Sequence, residues 1–289
     1  MTSLMRRLLP KSMRSDGVTI PVVRLSGTIM AGGGQFRPTL SLASTAGVLE
    51  KAFSVKDAPA VAISINSPGG SPVQSRLIYQ RIRDLATEKN KKVLVFVEDV
   101  AASGGYMIAV AGDEIIADPS SIVGSIGVVS ASFGFPELMQ KIGVERRVYT
   151  AGRNKAVLDP FQPEKEEDVE RLKALQIEIH ETFIDLVKDR RGDRLSEDPD
   201  LFTGLFWTGK KGLSLGLVDA IGDMRGTLKA RFGDRTQMKL ITQPRGLFGR
   251  RIGLFGSSAG VPAADMAGAA VEGLLDAAEQ RALWSRYGL

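Results

Sequence analysis

Residues 60–72 read AVAISINSPGGSP and predict a strand that turns directly into a helix. The first six residues are small, apolar or β-branched, as in a buried strand. The Asn-Ser-Pro-Gly-Gly run that follows is rich in turn-forming residues. Ser71 then offers a helix N-cap, and Pro72 suits the first helical position, where its missing N–H would have no partner. Helical spacing of apolar residues continues to Thr87, so this stretch is one strand–helix unit.

The same pattern recurs on both sides of this unit. Val93–Val97 is a continuous apolar run, and Ala-Ala-Ser-Gly-Gly at 101–105 follows it. Strand–helix alternation of this kind predicts an α/β domain with a largely parallel sheet. The other elements predicted in the first half are strands at Val22–Leu25 and Glu114–Ala117 and helices at Leu42–Phe53 and Gly104–Ala111.

The second half is predicted to begin with the longest helix, Glu164–Arg190, whose apolar stripe includes Leu175, Ile179 and Phe183. A short helix and a short strand follow, at Lys210–Leu215 and Leu217–Ile221. From residue 242 the composition shifts to Gly, Ala, Arg and Phe, which favours a linker before a last helix at Asp265–Tyr287. The predicted regions are a basic tail over 1–17, one domain over 18–241, and a linker with a C-terminal helix over 242–289.

The composition excludes several kinds of chemistry. The 289 residues include no cysteine and one histidine, His180. Disulfides, thiolate metal sites, cysteine nucleophiles and multi-histidine zinc sites are therefore ruled out, and no cofactor or metal is expected. The net charge is +5, with 38 Lys and Arg against 33 Asp and Glu spread along the chain, so nucleic acid is not an expected partner.

No stretch of the sequence has the length and hydropathy of a transmembrane helix. The N-terminal residues MTSLMRRLLPKSMR are basic but lack the apolar core of a signal peptide. They fit a disordered tail or a short amphipathic turn resting on an anionic membrane. We therefore expect a cytoplasmic location, with peripheral contact at the inner face of the membrane left open.

Two glycine-rich loops are the candidate chemical site, because the carboxyl ends of parallel strands are where ligands bind. Ser103 would lie between a strand and a helix, like the nucleophile of a strand–turn–helix elbow, and the amide after it can face an oxyanion. The Gly-Gly pair at 69–70 lets bare backbone offer a second amide. Either loop alone also fits an ordinary turn; the two together are more specific.

A serine nucleophile needs a base, and His180 and Lys155 are the candidates. His180 lies inside the long predicted helix, where a histidine more often packs or meets solvent than catalyses. Lys155 lies in a loop of small and apolar residues, and a free lysine titrates at about 10.4, so burial must lower its pKa for base catalysis. A nearby Arg153 would help to lower the pKa of Lys155, and a nearby Asp159 would oppose that lowering. By composition alone, Lys155 also fits a solvated loop lysine.

Several motifs occur in order between Val18 and Arg231. They are Asn-Ser-Pro-Gly-Gly at 66–70, Ala-Ala-Ser-Gly-Gly-Tyr at 101–106, Gly-Ser-Ile-Gly-Val at 124–128, Gly-Arg-Asn-Lys at 152–155 with Pro160, and Trp-Thr-Gly at 207–209 continuing to Gly-Leu-Val-Asp-Ala-Ile-Gly at 216–222. This set resembles the signal peptide peptidase A family of Ser-Lys peptidases. The resemblance implies an α/β, ClpP/crotonase-like single domain of repeated β-β-α and βα units, here followed by a C-terminal helical extension.

The resemblance also implies a role for each matching residue. Ser103 matches the nucleophile and Lys155 the general base. Ser125 matches the serine that orients the lysine amine. The amides of Gly70 and Gly104 match the oxyanion hole. The implied reaction is acyl transfer to the serine, followed by hydrolysis with a water that the same lysine activates.

The implied partners are peptides and further copies of the chain. Short members of the family form rings in which the serine and lysine of one site come from neighbouring subunits. Their substrates are remnant signal peptides and other flexible peptides, bound extended, and Leu40, Met107 and Val129 are candidate pocket residues here. Two features depart from the family: Ser71 stands where a third glycine is often found, and the N-terminal membrane span of many members is missing.

Two other classes of function stay open. An acyl-CoA hydratase of the crotonase type shares the Gly-Gly oxyanion loop but usually needs a positioned carboxylate pair, and Glu98 and Asp99 are the only acids near Ser103 in sequence. A ring-forming scaffold could keep the fold without activity. The predicted C-terminal helix has three interpretations: packing on a neighbour, contact with a membrane, or blocking of the site.

Overall fold

A parallel sheet organises the chain, and its first strands alternate with helices as predicted. The computed structural model describes residues 17–32, 39–242, 278 and 281–289. The first elements are β1 (Thr19–Ser26), α1 (Leu42–Phe53), β2 (Ala60–Ser67), α2 (Pro72–Glu88), β3 (Lys92–Ala102), α3 (Gly104–Ala109), β4 (Glu114–Ala117) and β5 (Ile122–Gly124).

The remaining elements include the longest helix and the last strand. In chain order they are α4 (Pro136–Lys141), α5 (Glu166–Arg191), a 3-10 turn (Gly192–Arg194), β6 (Phe206–Thr208), α6 (Gly209–Ser214), β7 (Ala220–Ile221), α7 (Met224–Phe232) and β8 (Gln237–Leu240). Ala278 and residues 281–285 are also helical, within the predicted span of the last helix. The rest of that helix, almost all of the predicted linker and residues 1–16 of the basic tail lie outside the described residues.

The sheet forks at β3, and this fork positions the site. The strand order is β6-β5-β3-β2-β1-β8, and β4 pairs with both β3 and β7. The first half of β3 pairs with β4 through Leu94–Val97, while its last three residues pair with β5 instead. All pairs are parallel except β5 with β6. The end of β3 therefore lies between the turn after β2 and the turn after β5.

The core lies on both faces of the sheet because alternate residues of each central strand point to opposite sides. On β2, Val61, Ile63 and Ile65 belong to the larger apolar cluster, and Ala60 and Ala62 to the smaller one. Every residue of β2 is buried. This explains the run of small, apolar and β-branched residues that predicted the strand.

Local signals located most helix starts correctly, but the long helix is packed differently from its prediction. Ser71 caps α2 with its side-chain oxygen, and Pro72 is its first residue, as expected. In α5 the buried apolar residues are Phe183 and Val187, in the C-terminal part of the helix. Leu175 is 56% exposed and Ile179 40% exposed. The predicted apolar stripe is thus buried at Phe183, while Leu175 and Ile179 on the same stripe are exposed.

Candidate active site

Ser103 lies at the turn between β3 and α3 with a backbone that few residues adopt. Its φ is 52° and its ψ is −123°. A non-glycine residue in such a conformation costs about 1–3 kcal/mol, and this strain persists only where the surroundings enforce it. The enforcing contacts are a hydrogen bond from the Ser103 amide to the Gly124 carbonyl at 2.9 Å and one from the Met107 amide to the Ser103 carbonyl at 3.0 Å. The geometry is that of the strained elbow that presents a nucleophile.

A cavity of about 390 Å³ opens beside this serine. Its lining includes Ser103, Gly70, Met30 and Val128. Val129, a predicted pocket residue, lines the same cavity. The other two predicted pocket residues do not. Leu40 lines a separate cavity of about 250 Å³, and the side chain of Met107 is buried in the core.

The predicted glycine loop packs directly against the serine turn. Gly69 and Gly70 have φ values of 103° and 139°, a region that favours glycine. A Cβ at Gly69 would lie 2.8 Å from the Ser103 Cβ and 2.9 Å from the Gly104 nitrogen. A Cβ at Gly70 would collide with the carbonyl of Ile29. The two predicted loops therefore form one site, with the amides of Gly70 and Gly104 on adjoining backbone.

The second predicted serine occupies another strained turn next to the first. Ser125 has a φ of 53° and follows β5. Its amide donates to the Leu205 carbonyl at 2.7 Å, and the residue is 5% exposed. Because the preceding residue, Gly124, accepts the Ser103 amide, the two serine turns are held together. The Ser125 hydroxyl is also occupied: the Tyr287 hydroxyl donates to it at 3.2 Å.

Lys155 lies in an exposed turn-rich loop and is not among the residues that line the Ser103 cavity. It belongs to a segment over residues 133–162, here called the arm, which includes α4. Phe135 of the arm donates its amide to the Pro160 carbonyl at 2.6 Å, and its ring stacks on Phe161 at 5.5 Å. The arm therefore folds back on itself, and one copy of the chain does not bring the predicted base to the predicted nucleophile.

The charges expected around Lys155 are partly neutralised within the arm. Asp159, which was predicted to oppose a neutral lysine, has a nearly buried carboxylate. The Arg146 Nε lies 3.1 Å from its Oδ2 atom. Asp159 therefore has a cationic partner within the arm.

His180 has a structural contact that explains its position on α5. Its Nε2 lies 3.0 Å from the Ile126 carbonyl oxygen. Ile126 follows Ser125 directly, so this hydrogen bond fixes the turn that carries the second serine. The contact gives His180 the packed environment that is usual for a histidine inside a helix.

The two acids near Ser103 in sequence are engaged elsewhere. Arg24 forms an ion pair with Glu98 at 2.6 Å, and Ser64 also donates to that carboxylate. Partial burial alone would raise the pKa of Glu98, but the hydrogen bonds from Arg24 and Ser64 hold it below its ordinary value. Asp99 accepts from Asn66 at 2.6 Å. Neither acid lines the Ser103 cavity.

Comparison with known protein families agrees with this geometry. The sequence model of Peptidase family S49 matches residues 86–232, just over half of the chain. The chain belongs to peptidase family S49. The matched stretch includes Ser103, Ser125 and Lys155, while the Gly70 loop precedes it. The match begins in α2 and ends with α7, so it covers most of the mixed α/β domain.

Individual relatives of this S49 chain differ in length and description. A protein of Brucella abortus named Na(+)/H(+) antiporter NhaA is 68% identical over 287 residues, which cover 99% of this chain but 39% of that protein. The serine protease SPPA of Arabidopsis thaliana chloroplasts is 32% identical over 71% of this chain and 31% of its own length. A Synechocystis protein described as a protease is 33% identical over 70% of this chain and 75% of its own.

The chain thus spans about two fifths of the Brucella protein it resembles most among these three. Most of that protein lies outside the aligned stretch, and the antiporter name describes the longer protein. Within residues 17–32, 39–242, 278 and 281–289, no helix is both long and apolar enough to cross a membrane. The expected cytoplasmic location and the membrane contact of the basic N-terminus stay predictions.

Proposed function

We propose that this chain is a serine endopeptidase that cleaves flexible or unfolded peptides with Ser103 as nucleophile and Lys155 as general base. The observation that carries the proposal is the strained turn of Ser103, which opens on a cavity walled by a glycine loop. Strain at a hydroxyl beside a cavity is a feature of nucleophile elbows, and an ordinary loop serine would relax.

The proposed reaction runs in two steps. The neutral Lys155 amine takes the proton from the Ser103 hydroxyl as its oxygen attacks the substrate carbonyl carbon. The negative oxygen that forms is stabilised by the amides of Gly70 and Gly104. The peptide C–N bond then breaks, the lysine gives the proton to the leaving amine, and an acyl-enzyme remains. The same lysine activates a water that releases the acyl group. Ser125 would hold the lysine amine in line.

The two catalytic groups would come from neighbouring subunits. Lys155 is exposed in one chain and needs burial to lose its proton near pH 7. The arm that carries it has exposed apolar side chains, including Phe133 at 80% and Tyr149 at 89% exposure. Exposed apolar side chains on one segment favour contact with another protein chain. A homo-oligomer would bury the arm and bring its lysine to the next subunit's serine.

The shape of the cavity supports an extended peptide as substrate. Met30 and Ala31 line it from the segment after β1, and Val128 and Val129 line it from the segment after Ser125. Extended backbone on such a surface can pair with a peptide main chain while apolar residues receive its side chains. Remnant signal peptides, which are apolar and flexible, are the proposed native substrates.

The alternatives receive less support. A crotonase-type hydratase needs free carboxylates at the thioester, and Glu98 and Asp99 are engaged by Arg24, Ser64 and Asn66. An inactive scaffold would not require the strained backbone at Ser103, which costs free energy of folding.

The shared site is tested by mixing inactive subunits. Ser103→Ala and Lys155→Ala rings are each expected to leave casein intact, and subunits exchanged between them should regain part of the wild-type rate. Lys155→Arg should also be inactive because arginine does not give up its proton. Lys141→Ala, an exposed lysine on the same arm, is the matched control and should be active. Mixed rings that form but stay inactive would contradict the shared site, and an active Lys155→Arg would contradict the base.

A further inference from the structure

Residues 281–289, here called the tail segment, lie across the Ser103 site. Leu283 and Arg286 line the same cavity as the serine. Trp284 packs against the small apolar cluster at the end of β3. One short piece of chain thus covers both the cavity and the strand that leads into the serine turn.

Tyr287 carries this coverage to the second serine. Its hydroxyl donates to the Ser125 Oγ at 3.2 Å. Its ring meets the Phe206 ring edge-on, with centroids 5.0 Å apart. Tyr287 is 7% exposed and Ser125 5% exposed. The hydroxyl that the family resemblance assigns to orienting the lysine is therefore covered by a buried phenol.

We propose that Tyr287 is an autoinhibitory residue, and that the tail segment must leave the site before Lys155 can engage Ser125. This inference rests on the proposed function, because it takes Ser125 to be the partner of the lysine amine. It adds a state of the enzyme in which base and substrate are excluded by one segment of its own chain.

Tyr287 and the lysine amine would compete for the same small space around the Ser125 oxygen. A serine oxygen has one donor and two acceptor sites, and Tyr287 uses one of the acceptors. A lysine amine must come within about 3 Å of the same oxygen to bond to it. The Tyr287 ring packs on Phe206, and with this phenol in place Ser125 is only 5% exposed. Leu283 and Arg286 occupy the cavity wall where an extended peptide would bind.

The energies make this a reversible block. A buried hydrogen bond of this kind shifts the equilibrium between the covered and the open site by about three- to tenfold. The packing of the Trp284 and Tyr287 rings favours the covered site further. Removing the hydroxyl alone should therefore open the site partly, and removing the tail segment should open it fully.

The test compares the full chain with Tyr287→Phe and with a variant that ends at residue 280. Phenylalanine keeps the ring on Phe206 and deletes the bond to Ser125. We expect casein hydrolysis to rise about three- to tenfold in Tyr287→Phe and more in the deletion variant. Leu289→Ala, in the same segment and half exposed, is the matched control and should leave the rate unchanged. A synthetic peptide of residues 278–289 should inhibit the deletion variant, and its Tyr287→Phe version should inhibit less.

A second readout does not depend on the choice of substrate. The rate at which a fluorophosphonate labels the Ser103 hydroxyl should rise in the same order, because the probe enters the same cavity. Equal hydrolysis and equal labelling in the wild type, Tyr287→Phe and the deletion variant would overturn the inference. A fall in both rates without loss of thermal stability would do so too, since it would make the tail segment a supporting element.

Failure of the inference and failure of the proposed function give different patterns. The deletion variant carrying Ser103→Ala must lose both hydrolysis and labelling if Ser103 is the nucleophile. Activity that survives that substitution would overturn the proposed function. Activity that depends on Ser103 but ignores the tail segment would overturn only the autoinhibition.

Discussion

Gly69 packs its bare Cα against Ser103, so closely that a Cβ on the glycine would lie 2.8 Å from the Ser103 Cβ. Real Cβ atoms do not approach that closely. The loop after β2 and the turn after β3 are therefore fitted to each other, and the position of the Gly70 amide depends on the absence of one methyl group. This contact joins two motifs that are more than thirty residues apart in the sequence.

Gly69→Ala should damage the site more than the fold. The new methyl group would push against Ser103 and Gly104, and the backbone at φ 103° is unfavourable for alanine. We expect casein hydrolysis to fall by about a hundredfold, since losing one oxyanion donor alone costs that much, with a loss of about 1–3 kcal/mol in the free energy of unfolding.

Gly47→Ala is the matched control for that substitution. Gly47 lies on the exposed side of α1, and nothing lies within 4 Å of its added Cβ. Alanine there should raise the free energy of unfolding by about 0.5–1 kcal/mol, because a helical glycine loses more chain entropy on folding. Full activity in Gly69→Ala, measured beside this control, would contradict the packing argument.

Asp219→Asn should destabilise the region where α5 meets the sheet. The Asp219 carboxylate accepts from Arg191 at 2.8 and 3.0 Å and from the Ile115 amide at 2.7 Å. The Arg191 side chain is 2% exposed, so loss of the carboxylate leaves a buried cation with no full partner charge. We expect the free energy of unfolding in urea at pH 7 to fall by about 3 kcal/mol. Asp185→Asn, an exposed aspartate on α5, should change it little.

The effect of Asp219→Asn should also depend on pH. Burial alone would raise the pKa of Asp219, but the hydrogen bonds from Arg191 and Ile115 hold it below its ordinary value of 3.8. The stability that the charge supplies is thus present above pH 3.8 and is lost as the pH falls through the lower pKa of the folded state. The difference between wild type and variant should shrink as the pH falls below 3.8 and through that lower pKa. A constant difference from pH 7 to pH 2 would contradict this.

The arm supplies a prediction about assembly. Leu138 and Ile142, on and beside α4, are 52% and 60% exposed. If neighbouring subunits cover them, Leu138→Glu with Ile142→Glu should sediment as a smaller species than the wild type and lose casein hydrolysis, because Lys155 no longer reaches a neighbour. Lys141→Glu changes an exposed polar residue of the same helix and should still assemble. An unassembled variant with full activity would mean that one chain completes its own site.

Local sequence signals predicted the first half of the fold well. The helix at Leu42–Phe53 was predicted with its observed ends, and Ser71 with Pro72 marked the start of α2. These elements depend on capping and on apolar spacing, which a short stretch of sequence contains. The predicted end of β3 at Val97 was too early, because Glu98 and Asp99 break the apolar run.

The elements that were missed depend on distant partners. β5 and β6 have three residues each and exist because they pair with β3 and with each other. β8 forms against β1 across more than two hundred residues of chain. Charge pairs such as Arg24 with Glu98 are equally non-local, so no window of sequence predicts that an acidic residue continues a strand.

The candidate site was predicted in part. Ser103, Ser125, Gly70 and Gly104 were named from motifs, and the structure brings them together at the end of the sheet. Tyr287 was missed, because a tyrosine in a C-terminal helix carries no sequence signal for a contact with Ser125. Lys155 is exposed in one copy of the chain, and the contact with a neighbouring subunit's serine stays a proposal.

The most direct measurement of the central claim is casein hydrolysis by the purified full chain, compared with Ser103→Ala and Ser120→Ala. Ser120 is an exposed loop serine and serves as the matched control. With Ser103 as the nucleophile, Ser103→Ala should lose hydrolysis by at least about ten-thousandfold while it still assembles, and Ser120→Ala should match the wild type. Hydrolysis by Ser103→Ala at the wild-type rate would contradict the assignment of Ser103 and, with it, the proposed peptidase mechanism.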